Sequence, residues 1–537
     1  GGGEPRPVGD APPRWGWAPW GLALGILALG FSIWEVFPPG IWHDDGVYVL
    51  LGRALAQGDG LRYVGVVGEP LAPKFPPLFP LLLAGVWTLF PGFPENLPLL
   101  AGVNLVLMAA AAGLFAEYLR RVFAFSLPLS LGVTLLAWLS PHLWRFALIP
   151  LSEPLFLLTL IAGLWAGGWA EERGKGTAPV LLFLAAAGLA VMSRTVGVAL
   201  LLAGMGTFLV RGRWRAAAGV LLGSLVILLP WTLWSRSASA TIPASLQDTL
   251  GPYTGWWLKQ IIEAPGESFL FILGNAVHLT ARILGLLLPG VSGPALWLGL
   301  LLVPPLLVGL WEMGRRTRLL PLTLLLSLGI LLAWPFRDIR LVTPLHPFLV
   351  LAVVLGFRRL VSREGRPLLF RRIVGGVAGV WVLALAGMSV AGLAGGWPAE
   401  PFRARADALV TAVQGVSEHT PSDAVVGAPE LWSGIHLFTG RTVAPSAPFV
   451  PLAREGPTWG TPEEQYRLWI ETGLTHLLVE HGGRVHGDAL DRLDALCPWS
   501  GVQLLVNRPG QFLVRLGWDE ACRERVMESV GGSGGLP

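Results

Sequence analysis

Apolar runs near residues 18–37, 97–119, 124–141, 152–170, 178–193, 196–211, 216–234, 294–313, 318–335, 342–357 and 373–396 dominate the chain. As helices they match, or nearly match, the roughly 30 Å apolar core of a bilayer. A backbone placed in lipid must satisfy its own hydrogen bonds, so eleven such runs predict a polytopic α-helical membrane protein. Composition agrees, with 53% hydrophobic and only 14% charged residues in 537. The formal charge of +4, from 39 basic against 35 acidic residues, is too small an excess for a nucleic-acid footprint. The polar, Pro/Gly-rich start "GGGEPRPVGDAPPRW" shows no short cleavable signal, and the run at 18–37 is long enough to act as a signal anchor.

Two further runs, from Pro76 and from Phe269, bring the expected span count to between about 11 and 13, because hydropathy cannot tell a crossing helix from one lying along the surface. Loop charge separates the cases. Basic clusters at Arg120/Arg121, Arg173/Lys175, Arg211–Arg215, Arg315–Arg318 and Arg358–Arg372 all fall on one side only if neither ambiguous run crosses. By the positive-inside rule that side is the cytoplasm, as is the tail at 1–17. Asn275, His278 and Arg282, spaced by three and four, share one helical face and read as the polar side of a surface helix. The expected organisation is a membrane domain over 18–396 with outer loops at 38–96, 142–152, 235–293 and 336–341, followed by an extracytoplasmic α/β domain over 397–537. That domain holds both cysteines, Cys497 and Cys522, which either pair or remain two free thiols.

Charge gathers at the outer ends of the runs: Asp44, Asp45, Lys74, Arg145, Glu153, Arg194, Arg337, Asp338 and Arg340. Any one of them has an ordinary explanation as an interfacial anchor or an acid in the first turn of a helix. The set is harder to explain that way, since such residues are costly near lipid unless solvated, paired or used. Asp44 and Asp45 are adjacent, and a carboxylate pair beside a membrane cavity suits a general base or a cation site. Lys74 precedes Pro76 and Pro77, and both it and Arg340 are placed to meet a lipid phosphate or simply the headgroup layer.

In order along the chain, "HDDGVYVLLGRALAQGDGLR", "KFPPLFPLLLAGVWTLFPG", "LSEPLFLL", "MSRTVGVALLLAG" and "RDIRLVTPLHPFLVLA" resemble the GT-C glycosyltransferases that use a polyprenyl-phosphate sugar donor. The branch most similar is that of the protein O-mannosyltransferases and aminoarabinose transferases, and the resemblance covers about residues 18–396. It implies an acidic pair in the first outer loop at Asp44 and Asp45, with Asp44 as base, and a second-loop acid at Glu153, where many members have aspartate. It further implies donor-phosphate contacts from Lys74 and Arg340, with Arg194 at a position where arginine is frequent. His278 and Arg282 have no motif behind them and enter as phosphate or lipid contacts only through their shared face.

The expected activity is inverting transfer of a hexose or pentose from a polyprenyl-phosphate donor, such as undecaprenyl phosphate, to a hydroxyl on a protein, lipid or glycan acceptor. The expected setting is the extracytoplasmic face of a bacterial or archaeal cytoplasmic membrane, and nucleic acid is not an expected partner. No metal is assigned, because Asp44, Asp45 and Glu153 supply too few oxygens for a hard cation; a divalent cation is admissible without being obligatory. The alternatives are a lipid-linked-sugar transporter, which calls for internal repeats and midplane polar groups, and a non-catalytic scaffold, which gives Asp44 no reason to meet Lys74 and Arg340.

Overall fold

A computed structural model describes residues 16–172, 176–252, 261–262, 264–362, 365–448, 450–453, 456–480, 485–497, 502–508, 511–517 and 519–531. Each apolar run is a helix. In chain order these are α1 (Trp17–Ser32), α2 (Asp44–Gln57), α3 (Leu78–Leu89), α4 (Leu97–Val122), α5 (Leu127–Trp138), α6 (Pro141–Arg145), α7 (Glu153–Glu172), α8 (Thr177–Ser193), α9 (Val198–Val210) and α10 (Trp214–Ser239). Then come α11 (Gln247–Leu250), α12 (Pro265–Leu287), α13 (Val303–Arg316), α14 (Leu319–Ala333), α15 (His346–Ser362) and α16 (Leu368–Ala394). Among the described residues, seven helical stretches are long and apolar enough to cross a membrane, and six shorter apolar helices accompany them.

Local chemistry sets the ends of these helices. Proline opens α4, α5 and α13, where a missing N–H costs nothing, and Arg120/Arg121 and Arg315/Arg316 close α4 and α13 at the dipole's negative end. The 12 residues of α3 span about 18 Å, short of a bilayer core, as expected for a surface helix. The 23 residues of α12 have the length and apolarity of a crossing helix. Its expected place along the surface therefore rests on loop charge and on its polar face.

Two helices pack unusually closely. At Gly309 of α13 a Cβ would sit 1.7 Å from the Ala352 carbonyl oxygen, and at Gly356 of α15 one would sit 1.8 Å from the Pro305 carbonyl oxygen. Two glycines thus let α13 and α15 touch backbone to backbone, which is how helices associate where lipid removes the hydrophobic drive.

The terminal region begins with α17 (Glu400–His419) and alternates β1 (Val425–Ala428), α18 (Trp432–Thr439), β2 (Thr442–Pro445), β3 (Val450–Ala453), β4 (Gly456–Thr458), α19 (Pro462–Glu471) and β5 (His476–Val479). It ends with α20 (Gly487–Leu496), β6 (Val502–Arg508), β7 (Gln511–Leu516) and α21 (Glu520–Gly531). The five-stranded sheet runs β2-β1-β5-β7-β6, parallel across its first three strands and antiparallel at β7 and β6. Cys497 and Cys522 are disulfide-bonded, tying the end of α20 to α21.

This region does not stand apart from the first loop. Val66 pairs with Val443 at the sheet edge, where Val443 N donates to Gly65 O (2.8 Å) and Val67 N to Val443 O (3.0 Å). One apolar core runs from Phe37, Ile41 and Val47 of the loop and α2 into Phe402, Leu409, Trp432 and Ile435.

Candidate active site

The site begins with a tight turn before α2. Gly40 has φ 102° and His43 has φ 62°, ψ −69°, while Asp44 N donates to Trp42 O at 2.8 Å. That three-residue turn is the strained hand of the γ-turn, and a non-glycine held there costs of order 1–3 kcal/mol. Immediately after it, Asp45 turns back. Its carboxylate accepts from Gly40 N (2.9 Å), Ile41 N (3.3 Å) and Trp42 N (2.9 Å), and the residue is fully buried. Burial pushes its carboxyl up to about 6, with the amide donors pulling the other way.

Successive side chains on a helix point about 100° apart, so Asp44 faces elsewhere. Its Oδ2 meets Arg340 Nη2 at 2.5 Å. Burial works to raise the Asp44 carboxyl, but Arg340, His43 and Lys74 outweigh it and hold the group below its usual range. The two aspartates thus do not act as a shared pair: one closes the turn and the other meets Arg340.

Arg340 comes from a short 3-10 turn, Ile339–Leu341, capped by Asp338, whose Oδ1 accepts from Arg340 N at 2.9 Å. Its Nε lies 3.9 Å from Glu153 Oε1 and 4.0 Å from Asp338 Oδ2. Glu153 opens α7, where an acid is favoured, and is ion-paired with Arg194. Arg194 reaches it because α8 ends at Ser193 and Arg194 is extended (φ −152°, ψ 136°) before the chain turns back into α9. A Cβ at Gly197 would meet the Ala190 carbonyl carbon at 2.6 Å, so glycine permits that tight return.

Lys74 joins from the loop before α3. Its Nζ donates to Thr249 O at 2.8 Å and lies 5.9 Å from the Phe75 ring. Burial drops its pKa to about 8, with Asp44 opposing the drop and Arg340 adding to it.

Three uncharged residues that sequence reasoning missed hold the acidic loop. Tyr48 Oη and Ser152 Oγ lie 3.0 Å apart, Arg194 Nη1 donates to Ser152 Oγ at 3.4 Å, and Asn104 Nδ2 donates to Ile149 O (2.7 Å) and Leu151 O (3.1 Å). Tyr48 stands four residues after Asp44 on the same helix, a spacing that sequence does show. Asn104 was legible as a lone amide inside an apolar run.

Asp44, Glu153, Lys74, Arg194 and Arg340 therefore meet in one cluster, whereas Asp45 supports it from behind. His278 and Arg282 belong to a second group. Arg337 Nη1 lies 3.1 Å from His278 Nε2, Arg337 Nε donates to Asn275 Oδ1 (2.8 Å), and Arg282 Nε donates to Arg337 O (3.2 Å). Arg282, Arg337 and Asp338 line a small, half-open pocket with Asn275, Phe336 and Val342. Asp338 borders both groups.

No protein-family model and no curated protein sequence matches the chain. Solved structures do match it. ArnT from Cupriavidus metallidurans in the apo state is 14% identical with a TM-score of 0.53, over 92% of this chain and 97% of that one. This chain shares its fold with that ArnT. The same ArnT bound to undecaprenyl phosphate is 13% identical, TM-score 0.51, over 95% and 99%. The archaeal oligosaccharyltransferase AglB from Archaeoglobus fulgidus, in complex with an inhibitory peptide and a dolichol-phosphate, is 11% identical, TM-score 0.53, over 93% of this chain and 74% of that one. Coverage this complete brings the terminal α/β region into the likeness together with the apolar helices.

Proposed function

We propose that the chain is an inverting membrane glycosyltransferase that moves a sugar from a polyprenyl-phosphate donor to an acceptor hydroxyl on the extracytoplasmic face. The observation that carries this reading is the meeting of Asp44, Glu153, Arg194, Arg340 and Lys74 from five separate segments in a GT-C fold. The basic loops opposite that cluster and the Cys497–Cys522 disulfide support the sidedness.

Each residue has a task that its surroundings suit. Asp44, held ionised by Arg340, takes the proton of the acceptor hydroxyl on its other oxygen, Oδ1. The acceptor oxygen forms its bond to the anomeric carbon as the bond to the phosphate oxygen breaks, and the electron pair leaves with polyprenyl phosphate. Entry opposite the phosphate inverts the centre. Lys74 and Arg340 stabilise the charge that grows on that phosphate, where two preorganised cations act in a partly desolvated site. Glu153 fixes Arg194 and lies next to Arg340, so it sets the position of both guanidinium groups. In the second group Arg282 and Arg337 line the pocket beside Asp338, with His278 against Arg337, and the two guanidinium groups suit a phosphate or headgroup of donor or acceptor.

Asp45 is taken up by amide donors, and Asp44 Oδ2 and Glu153 Oε1 face guanidinium groups, so the reading uses cations of the chain and no step in it is routed through a divalent ion. Neither ArnT nor AglB fixes the sugar or the acceptor here. In liposomes holding a mixed pool of polyprenyl-phosphate sugars and an envelope acceptor fraction, donor is consumed and free polyprenyl phosphate appears, with EDTA present. Donor carried intact across the bilayer, with none consumed, would make the chain a transporter.

A further inference from the structure

We propose that the terminal α/β region is a positioning element of the active site: Trp432, Arg405 and the Ser433–Gly434 step hold the strained turn at His43 and so fix the direction of Asp44. The inference rests on the transfer reading above and adds to it a role for a region that otherwise looks like a cover or an acceptor clamp.

The turn cannot hold itself. His43 has φ 62° and ψ −69°, a conformation an isolated chain leaves at once, because the Cβ crowds its own backbone. Such outliers persist only where the surroundings over-determine them, and they gather where geometry is used. Asp45 contributes from within the loop by gathering three amide groups. Phe146 adds an edge-on contact to the Trp42 ring, centroids 6.1 Å apart, and the further restraints on His43 itself and on the Gly40 and Ile41 backbone come from beyond residue 400. The His43 ring stands edge-on against fully buried Trp432, centroids 5.4 Å apart. Arg405 donates to Ile41 O at 3.2 Å and lies 4.2 Å over the Trp42 ring.

The fit is closest at two glycines. A Cβ on Gly40 would fall 2.5 Å from Gly434 Cα, and one on Gly46 would fall 2.3 Å from Ser433 Oγ. The start of α18 thus lies directly on the backbone that flanks Asp44, too near for any side chain on the loop to intervene. A Cβ on Gly434 would in turn meet Leu409 Cδ1 at 2.8 Å and the Pro39 carbonyl oxygen at 3.0 Å. The contact has no slack on either face. A clamp this tight, on a turn this strained, transmits any shift of α18 to the next residue, and that residue is Asp44.

A positioning role predicts a loss in kcat with donor KM unchanged, because the phosphate-facing Lys74 and Arg340 stand on segments the clamp does not touch. The test uses the full purified chain in liposomes with the mixed donor pool and envelope acceptor, read by steady-state turnover and by hydrogen exchange of peptides covering residues 38–50. Trp432→Leu is expected to speed exchange in that stretch alone and to lower kcat on the order of 10²-fold, as a displaced reacting group does. Trp432→Phe, which keeps an aromatic edge on His43, is expected to recover most of the rate. Arg405→Gln and Gly434→Ala provide the same readouts should Trp432→Leu loosen the whole chain. Exchange unchanged in 38–50 across the folded variants, or a loosened loop with wild-type kcat, would overturn the proposal. If the wild type shows no turnover while the variants still release residues 38–50 selectively, the clamp stands and the transfer reading falls.

Discussion

Lys74 is the residue whose environment makes the most specific claim. Its ammonium is desolvated until its pKa lies at about 8, so in the free protein it carries its charge below that pH and loses it above. Donor kcat/KM, which reports groups of the free enzyme, is therefore expected to be level near pH 7 and to fall by up to about tenfold per unit beyond pH 8. Lys74→Arg should move that fall out of the measurable range, because guanidinium stays charged. A pH profile from 6 to 10 on both proteins checks it, and an unchanged alkaline limb in Lys74→Arg would assign the fall elsewhere. The five charged members of the cluster were legible in sequence because charge beside a long apolar run has few cheap explanations. Asp45 was legible as a residue but not as a role: its partners are amide groups three to five residues upstream, and a turn of that shape leaves no mark in composition or period. Trp432 and Arg405 were illegible for the same reason at greater range, since nothing in the sequence says which helix lies on residues 40–46.

At the scale of elements, apolar length gave each helix its place, while the features that aim side chains inward are breaks in the pattern. Ser193 ends α8 one residue before the arginine that the site uses, and only the tight return at Gly197 shows why. The contact of α13 with α15 has the same character. It is made by Gly309 and Gly356, two of 69 glycines, and their pairing depends on helices 47 residues apart lying within backbone contact. Arg340 stands six residues upstream of α15, so a shift of that helix is expected to reach the guanidinium through the Thr343–Leu345 turn. Gly309→Val and Gly356→Val are each expected to lower stability by about 1–3 kcal/mol through forced separation of the helices. Thermal unfolding in detergent checks the first effect, and turnover checks the second, with kcat falling further for Gly356→Val, the substitution on the helix that follows Arg340. Equal stability in all three proteins would show that the two helices do not pack as described.

For the whole molecule, the sequence carried the polytopic helical class through its apolar runs, and the mixed helix-and-strand character of the terminal region through the change of pattern after residue 397. What it could not carry was the seam between the two parts. The first loop adds a bridge to the sheet edge at Val66 and Val443, and one apolar core runs through both. The most direct test of the account compares wild type with Asp44→Asn for consumption of a polyprenyl-phosphate sugar in the presence of an envelope acceptor fraction. The account predicts donor loss and free polyprenyl phosphate with the wild type, and a drop of at least about a hundredfold in a variant that unfolds at the same temperature. Equal donor consumption by a folded Asp44→Asn protein would contradict it.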